Sequence, residues 1–210
     1  MIIVNFATGH YIKGQQRLMA SIPEHYGKMP FTDYSQIGSP THSQSPYEFK
    51  IYAIEKAFMK DDIVLWCDAS MWRVGDMSKL ESIIINQGWL ATEAGHYVGR
   101  WTNQHTRNYF NLTEQELYQG TGGLIMFSAG LLGLNKKSEL AMEFFKQWKA
   151  SALAGCFRGS FEDHRHDQTC GSIIMQRLGM KYERGGELMS YIGPGYSAPE
   201  PGSVIYLQGI

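Results

Sequence analysis

Ile63-Val64-Leu65-Trp66-Cys67 is an unbroken apolar run between Asp61-Asp62 on one side and Asp68 on the other. Its length suits a strand, and a strand with no polar face must be covered on both sides. Such strands belong in the middle of a mostly parallel sheet that carries helices on each face. A second short run, Met1 to Phe6, ends in Ala7-Thr8-Gly9-His10 and reads as a buried first strand leading into a loop.

The segments between these runs have helical character. Tyr11 to Ile22 places Ile12, Leu18, Met19 and Ile22 at helical spacing, and Pro23 ends it. Ser45 is expected to cap a helix with Pro46 at its first position, followed by an apolar stripe of Phe49, Ala53, Ile54, Ala57 and Phe58. Met77 to Asn86, Lys136 to Leu153 and His166 to Leu178 read as further helices. Trp89 to Trp101 is expected to be strand material broken by Gly95 and Gly99. Leu124 to Phe127 and Leu131 to Leu134 read as two short strands around Ser128-Ala129-Gly130, and Val204 to Leu207 as a last strand. Thr32 to Pro46, rich in Ser, Thr, Gln and Pro, reads as a surface loop beside a ligand site. Alternating strands and helices predict an α/β fold: one domain over residues 1–210, with a central, mostly parallel mixed sheet flanked by helices. The abrupt strand at the end is also compatible with a domain cut from a longer chain.

Composition narrows the function classes. The chain has 210 residues, 43% of them hydrophobic, which suffices for one full core. A net charge of -1 gives no bulk attraction for a polyanion. The densest basic stretch, Arg158 to Arg165, is interrupted by Glu162 and Asp163, so nucleic acid is not the expected partner. Three cysteines without CxxC spacing argue for a reducing compartment, and the expected location is cytosolic. No apolar stretch reaches the roughly 20 residues of a membrane span. The oligomeric state is not legible.

In open α/β sheets ligands sit beyond the carboxyl ends of the strands. Two such ends carry polar residues: Thr8-Gly9-His10-Tyr11 after the first strand, and Asp68-Ala69-Ser70 after the Trp66-Cys67 strand. A carboxylate in Asp68's position suits a divalent cation or a ribose hydroxyl. Its other reading is a cap on the turn that follows the strand.

The stretch Lys60 to Ser70 resembles the Asp-x-Asp region of GT-A-fold nucleotide-sugar glycosyltransferases, down to the preceding helix with a basic residue. Gly122 to Phe127 and Ala129 to Leu134 are similar to that family's acceptor-side strands, and His164-Arg165-His166-Asp167-Gln168 to its later Asp-Gln segment. Within that family the chain most resembles a small N-terminal glycosyltransferase domain of chlorovirus proteins that decorate capsid glycans. The resemblance implies a GT-A-like single domain that moves a sugar from a UDP-sugar to a hydroxyl of a glycan acceptor, with manganese or magnesium. It implies that Asp68 and Ser70 hold the cation and ribose, and that Thr8, His10 and Tyr11 line the nucleotide pocket. The chain departs from the family at Ser70, where the second acid of Asp-x-Asp would stand, which thins the metal shell and leaves metal-independent chemistry as an alternative.

Lys50 and Arg73 are the cations expected to reach the diphosphate, Lys50 as a point charge. The alternatives are a Lys50 stem lying along the core and a surface Arg73. Asp167, near a helix start, is the candidate base at the acceptor hydroxyl, or else a helix N-terminal acid. His164 and His166, two apart, do not share a helical face and make a poor metal pair. Trp72 and Trp101, next to polar residues, are the better sugar-stacking candidates among the tryptophans. Two other functions stay open: a non-catalytic nucleotide- or glycan-binding module, and a sugar nucleotidyltransferase. The second lacks support because Thr8-Gly9-His10-Tyr11 is not an Arg-containing glycine-rich loop.

Overall fold

Ile63–Cys67 is a strand, and it lies at the centre of a five-stranded sheet. The structure, a computed structural model, describes residues 1–191, 199 and 201–207. In chain order the elements are β1 (Ile2–Phe6), α1 (Tyr11–Ser21), β2 (Gly27–Phe31), α2 (Tyr34–Ile37), α3 (Phe49–Phe58), β3 (Ile63–Cys67), β4 (Met71–Arg73), α4 (Ser78–Gln87) and β5 (Trp89–Tyr97). A 3₁₀ turn (Val98–Trp101), α5 (Gln104–Phe110), β6 (Ile125–Asn135), α6 (Glu139–Leu153), α7 (His166–Arg177), α8 (Gly185–Leu188), β7 (Met189–Tyr191) and β8 (Ile205–Leu207) follow.

The main sheet has the order β2-β1-β3-β6-β5. β1 is parallel to both β2 and β3, whereas β6 is antiparallel to β3 and to β5. Four strands therefore point one way and β6 alone is reversed, which is the mostly parallel mixed sheet expected. The apolar run explains why β3 is central. Val64 and Trp66 enter a core shared with Phe49, Ile54, Phe144 and Trp148. Leu65 and Cys67 enter the opposite core with Leu18, Leu80 and Ile84. Successive side chains of a strand face opposite ways, so both faces are buried beneath helices, α3 and α6 on one and α1 and α4 on the other. A second sheet of order β4-β8-β7 lies against α1.

Three local expectations are corrected. The Ser45-Pro46 helix start is not used: α3 begins at Phe49, because Tyr47 has φ 60° and cannot belong to a right-handed helix. Ser45 and Pro46 lie instead in turns, with Ser45 N–H donating to Thr41 O. The Thr32–Pro46 loop contains the short helix α2, started by a capping box between Asp33 and Gln36. The two short strands around Ser128-Ala129-Gly130 form one strand, β6. Its later half pairs with β3, and its register against β5 shifts between Leu132 and Phe127. The β3–β6 register, carried one residue beyond Cys67 and Leu131, brings the Gly130 carbonyl to the Asp68 N–H at 2.8 Å.

Candidate functional site

β1 and β3 are parallel neighbours, so Thr8-Gly9-His10-Tyr11 and Asp68-Ala69-Ser70 leave the sheet at the same edge. Gly9, at φ 57°, makes the turn from β1 into α1. His10 and the half-exposed Tyr11 stand on that turn with their rings 4.1 Å apart. Beneath it, buried Asn5 donates to Cys67 O at 2.6 Å and accepts from Gln15 at 2.8 Å. These bonds tie β1, β3 and α1 together under the loops.

Lys50 lies in the first turn of α3 and is almost fully buried. Its ammonium is 2.9 Å from Asp167 Oδ2 and 3.3 Å from Asp68 Oδ1, and it donates to Ala129 O at 2.9 Å. The ammonium is thus bonded to one carbonyl and paired in charge with two carboxylates. The residue expected to reach a diphosphate stands here as a buried bridge between two carboxylates. Desolvation works against its charge, but Asp167 and Asp68 outweigh it and hold the pKa above lysine's ordinary value. The α3 and α7 N-termini meet here, and a carboxylate in the first turn of α7 is favoured by the helix dipole.

Asp68 is the carboxylate of this cluster that solvent reaches, with a side chain 33% exposed. Its Oδ1 accepts from Trp66 Nε1 at 2.7 Å and faces Lys50. Its Oδ2 points toward the Cα of Gly130, where a side chain would crowd it. One oxygen is thus fixed and the other is open to a ligand.

Asp167 is 4% exposed at its side chain and turns to Lys50. Its backbone carbonyl accepts from Trp148 Nε1 at 2.9 Å. Burial raises its pKa, and Lys50 opposes the rise. In this seat Asp167 is the charge partner of Lys50 and does not face solvent as an acceptor-side base would.

The remaining expected residues divide. Ser70 lies in the turn after β3, and its carbonyl accepts from Arg17 Nη2 at 3.2 Å. Arg73 lies elsewhere: Nε donates to Ser21 O and Nη1 to Gly75 O, which pins β4 to the end of α1. No ion pair joins Arg73 to the Lys50 cluster among the described residues. His164 sets Nε2 against Cys156 O at 2.7 Å, and His166 sets Nδ1 against Phe157 O at 2.8 Å. Burial lowers the pKa of both, and their bonds to backbone carbonyls work against that.

Two contributors escaped the sequence reading. Arg17 of α1 brings a guanidinium to Ser70, stacked 4.0 Å over Trp72, with no carboxylate partner among the described residues. Only its i+3 and i+4 neighbours were legible, and Ser70 is far away in sequence. Tyr47 places its ring 5.2 Å from the Lys50 ammonium. Its signal was the aromatic residue in a turn just before a helix.

Among the described residues the donor set is too small to hold a divalent cation by protein groups alone. Among the described residues no three of His, Cys, Asp and Glu gather to hold one. Asp68 Oδ2 and the Ser70 hydroxyl are the oxygens on offer, and the Lys50 ammonium already neutralises the same carboxylate. A separate cavity of about 760 Å³ lies at the other end of the sheet, between α3 and α6, lined by Phe58, Met59 and Lys136.

No family profile matches the chain, and no curated protein does. Solved structures do. Apo mouse xyloside xylosyltransferase 1 superposes with a TM-score of 0.58 at 12% identity, over 99% of this chain and 96% of that one. A glycosyltransferase involved in the glycosylation of the major capsid of PBCV-1 gives 0.59 at 12% identity, over 98% and 92%. The bifunctional glycosyltransferase WbbM gives 0.52 at 11% identity, over 90% of this chain and 39% of that one. No helix here is long and apolar enough to cross a membrane among the described residues. At such low identity these likenesses establish architecture, and the chain has the fold of the GT-A-type glycosyltransferases.

Proposed function

We propose that the protein is a glycosyltransferase that moves a sugar from a UDP-sugar to a hydroxyl of a glycan acceptor, at the edge where β1 and β3 end. The observation that carries this reading is Asp68, with Oδ1 tethered by Trp66 and Lys50 and Oδ2 left open at that edge. In the reaction an acceptor oxygen bonds to the anomeric carbon while the bond from that carbon to the diphosphate oxygen breaks. The acceptor proton leaves with a base or with the departing phosphate. Charge grows on the diphosphate, and fixed positive groups nearby lower the barrier.

Within this reading Asp68 Oδ2 accepts from a ribose or sugar hydroxyl. Thr8, His10 and Tyr11 flank the nucleotide, with Tyr11 offering a ring to the base. Arg17 is the cation nearest Ser70 for the diphosphate, and Ser70 offers a hydroxyl beside it. Lys50 and Asp167 act as positioning residues, because both are turned to one another and fix where Asp68 stands. Should manganese or magnesium bind, Asp68 Oδ2 and the Ser70 hydroxyl are the described oxygens that would hold it beside the diphosphate.

A panel of UDP-sugars assayed for released UDP, with and without manganese and with simple glycosides as acceptors, tests the proposal. Turnover of one UDP-sugar supports it. UDP that fails to bind by calorimetry under every condition removes it. The thin metal set favours a second reading, a nucleotide- or glycan-binding module without turnover. UDP binding with no transfer and no hydrolysis across the panel would select that reading.

A further inference from the structure

Trp101 lies beneath two guanidinium groups. Arg165 Cζ is 3.5 Å from the centre of its ring and Arg100 Cζ is 4.8 Å away. Arg165 also lies 3.8 Å from the ring of Phe161, whose carbonyl accepts from its Nη1. Phe161 itself is 58% exposed. Neither arginine has a carboxylate partner among the described residues, although Glu162 and Asp163 stand in the adjoining turn.

These groups connect to the Asp68 edge through a row of rings. Phe161 stacks on His166 at 5.9 Å, His166 meets Tyr47 at 5.4 Å, and Tyr47 lies over Lys50. Tyr47 and His166 both have positive φ, 60° and 46°. Strain of this kind collects at ligand sites. Both strained residues serve the same row.

Two positive groups side by side, one of them partly desolvated, repel one another. Burial lowers the Arg165 pKa; Tyr47 opposes that, and Arg100, the smallest of the three effects, adds to it. An anion would relieve the repulsion. A guanidinium stacked on an aromatic ring keeps its N–H edge free for paired bonds to a carboxylate or phosphate. The exposed face of Phe161 suits the C–H face of a pyranose.

We propose that Arg165 and Arg100, set around Trp101 with Phe161 beside them, form a subsite for an acceptor sugar that carries a negative charge. The assignment rests on the glycosyltransferase reading, because it takes the row of rings from Asp68 to Trp101 as the path from donor to acceptor. The charged substituent is a carboxylate or a phosphate, which share the geometry the guanidinium groups recognise.

The test is a titration of the full chain, saturated with UDP, with methyl glucoside, methyl glucuronide and glucose 6-phosphate, read by ligand-observed NMR. An acidic ligand should bind at least about tenfold more tightly than the neutral one, as expected for a charge-assisted bond. That preference should weaken with salt. Arg165→Gln and Arg100→Gln should each reduce it, and Arg165→Lys should retain part of it, which separates lost charge from lost folding. Preference for the glucuronide or for the phosphate tells which anion is recognised, and either supports the subsite. Equal affinity for all three ligands overturns it, as does a preference that survives both glutamine variants. UDP affinity measured on the same samples separates the two: no UDP binding removes the transferase reading on which the subsite rests, whereas UDP binding without an anion preference removes the subsite alone.

Discussion

Lys50 Nζ stands 2.9 Å from Asp167 Oδ2, with both side chains almost fully enclosed. The same ammonium reaches Asp68, so one buried cation holds two carboxylates that come from different ends of the chain. Breaking a buried pair by removing one partner leaves an uncompensated charge and costs about 3–5 kcal/mol. Lys50→Met should therefore lower the unfolding free energy by about that amount. Urea denaturation followed by circular dichroism checks it. A loss under about 1 kcal/mol would mean the pair is not structural.

The pair also sets a pH dependence. Lys50 has a folded-state pKa above its ordinary 10.5, so its stabilising contribution is full below that pH and is lost as the pH climbs through the raised value. Asp167 behaves oppositely to a salt-bridged surface acid. Burial has raised its pKa, so acidification through the carboxylate range relieves the site instead of breaking it. The melting-temperature gap between wild type and Lys50→Met should be flat from about pH 6 to 9 and narrow above about 10.5. The gap should also narrow on the acid side, because without Lys50 the buried Asp167 gains more from protonation; a gap that widens there would contradict these directions.

Gly130 gives a way to move one oxygen. A Cβ there would lie 2.6 Å from Met71 Cε and 3.2 Å from Asp68 Oδ2. Gly130→Ala should cost about 1–3 kcal/mol as overpacking and weaken UDP binding by displacing Oδ2. Gly133→Ala, crowded by Ile84 and Leu90 instead, is the control. It should destabilise the fold without the same loss of UDP affinity, measured by calorimetry on the folded fraction. Equal UDP affinity in both alanine variants would remove Oδ2 from the donor site.

Arg17 offers the clearest electrostatic test. Arg17→Gln should reduce UDP affinity by about tenfold, the scale of one charge-assisted bond to phosphate, and reduce uridine affinity little. Parallel titrations of the two ligands separate the diphosphate from the base. Equal effects on both would make Arg17 a structural latch on Ser70 and Trp72 only.

Much of the fold was legible because period and polarity carried it. The Ile63–Cys67 run announced a central strand, and α1, α4, α6 and α7 lie within a few residues of where their apolar spacing put them. The start of α3 was not legible. Ser45-Pro46 is a good local cap signal, but contacts around Tyr47 and Lys50, made with residues far along the chain, decide where the helix begins. The continuity of β6 was hidden for a related reason, since Ser128, Ala129 and Gly130 look like a turn until Asp68, just past β3, pairs with Gly130. At the site, Asp68 could be picked out by its place after a buried strand. The role of Lys50 could not, because its partners Ala129 and Asp167 come from distant segments and a lone lysine in a helix ordinarily snorkels to solvent.

The most direct measurement is a UDP titration of wild type and Asp68→Asn by calorimetry, paired with assay of sugar transfer. Asparagine keeps an acceptor for Trp66 Nε1 but loses the charge that faces the edge. The account predicts saturable UDP binding to wild type, a loss of roughly a hundredfold or more in transfer for the variant, and a fold that survives. Asp68→Asn that binds UDP and transfers sugar as wild type does would contradict it.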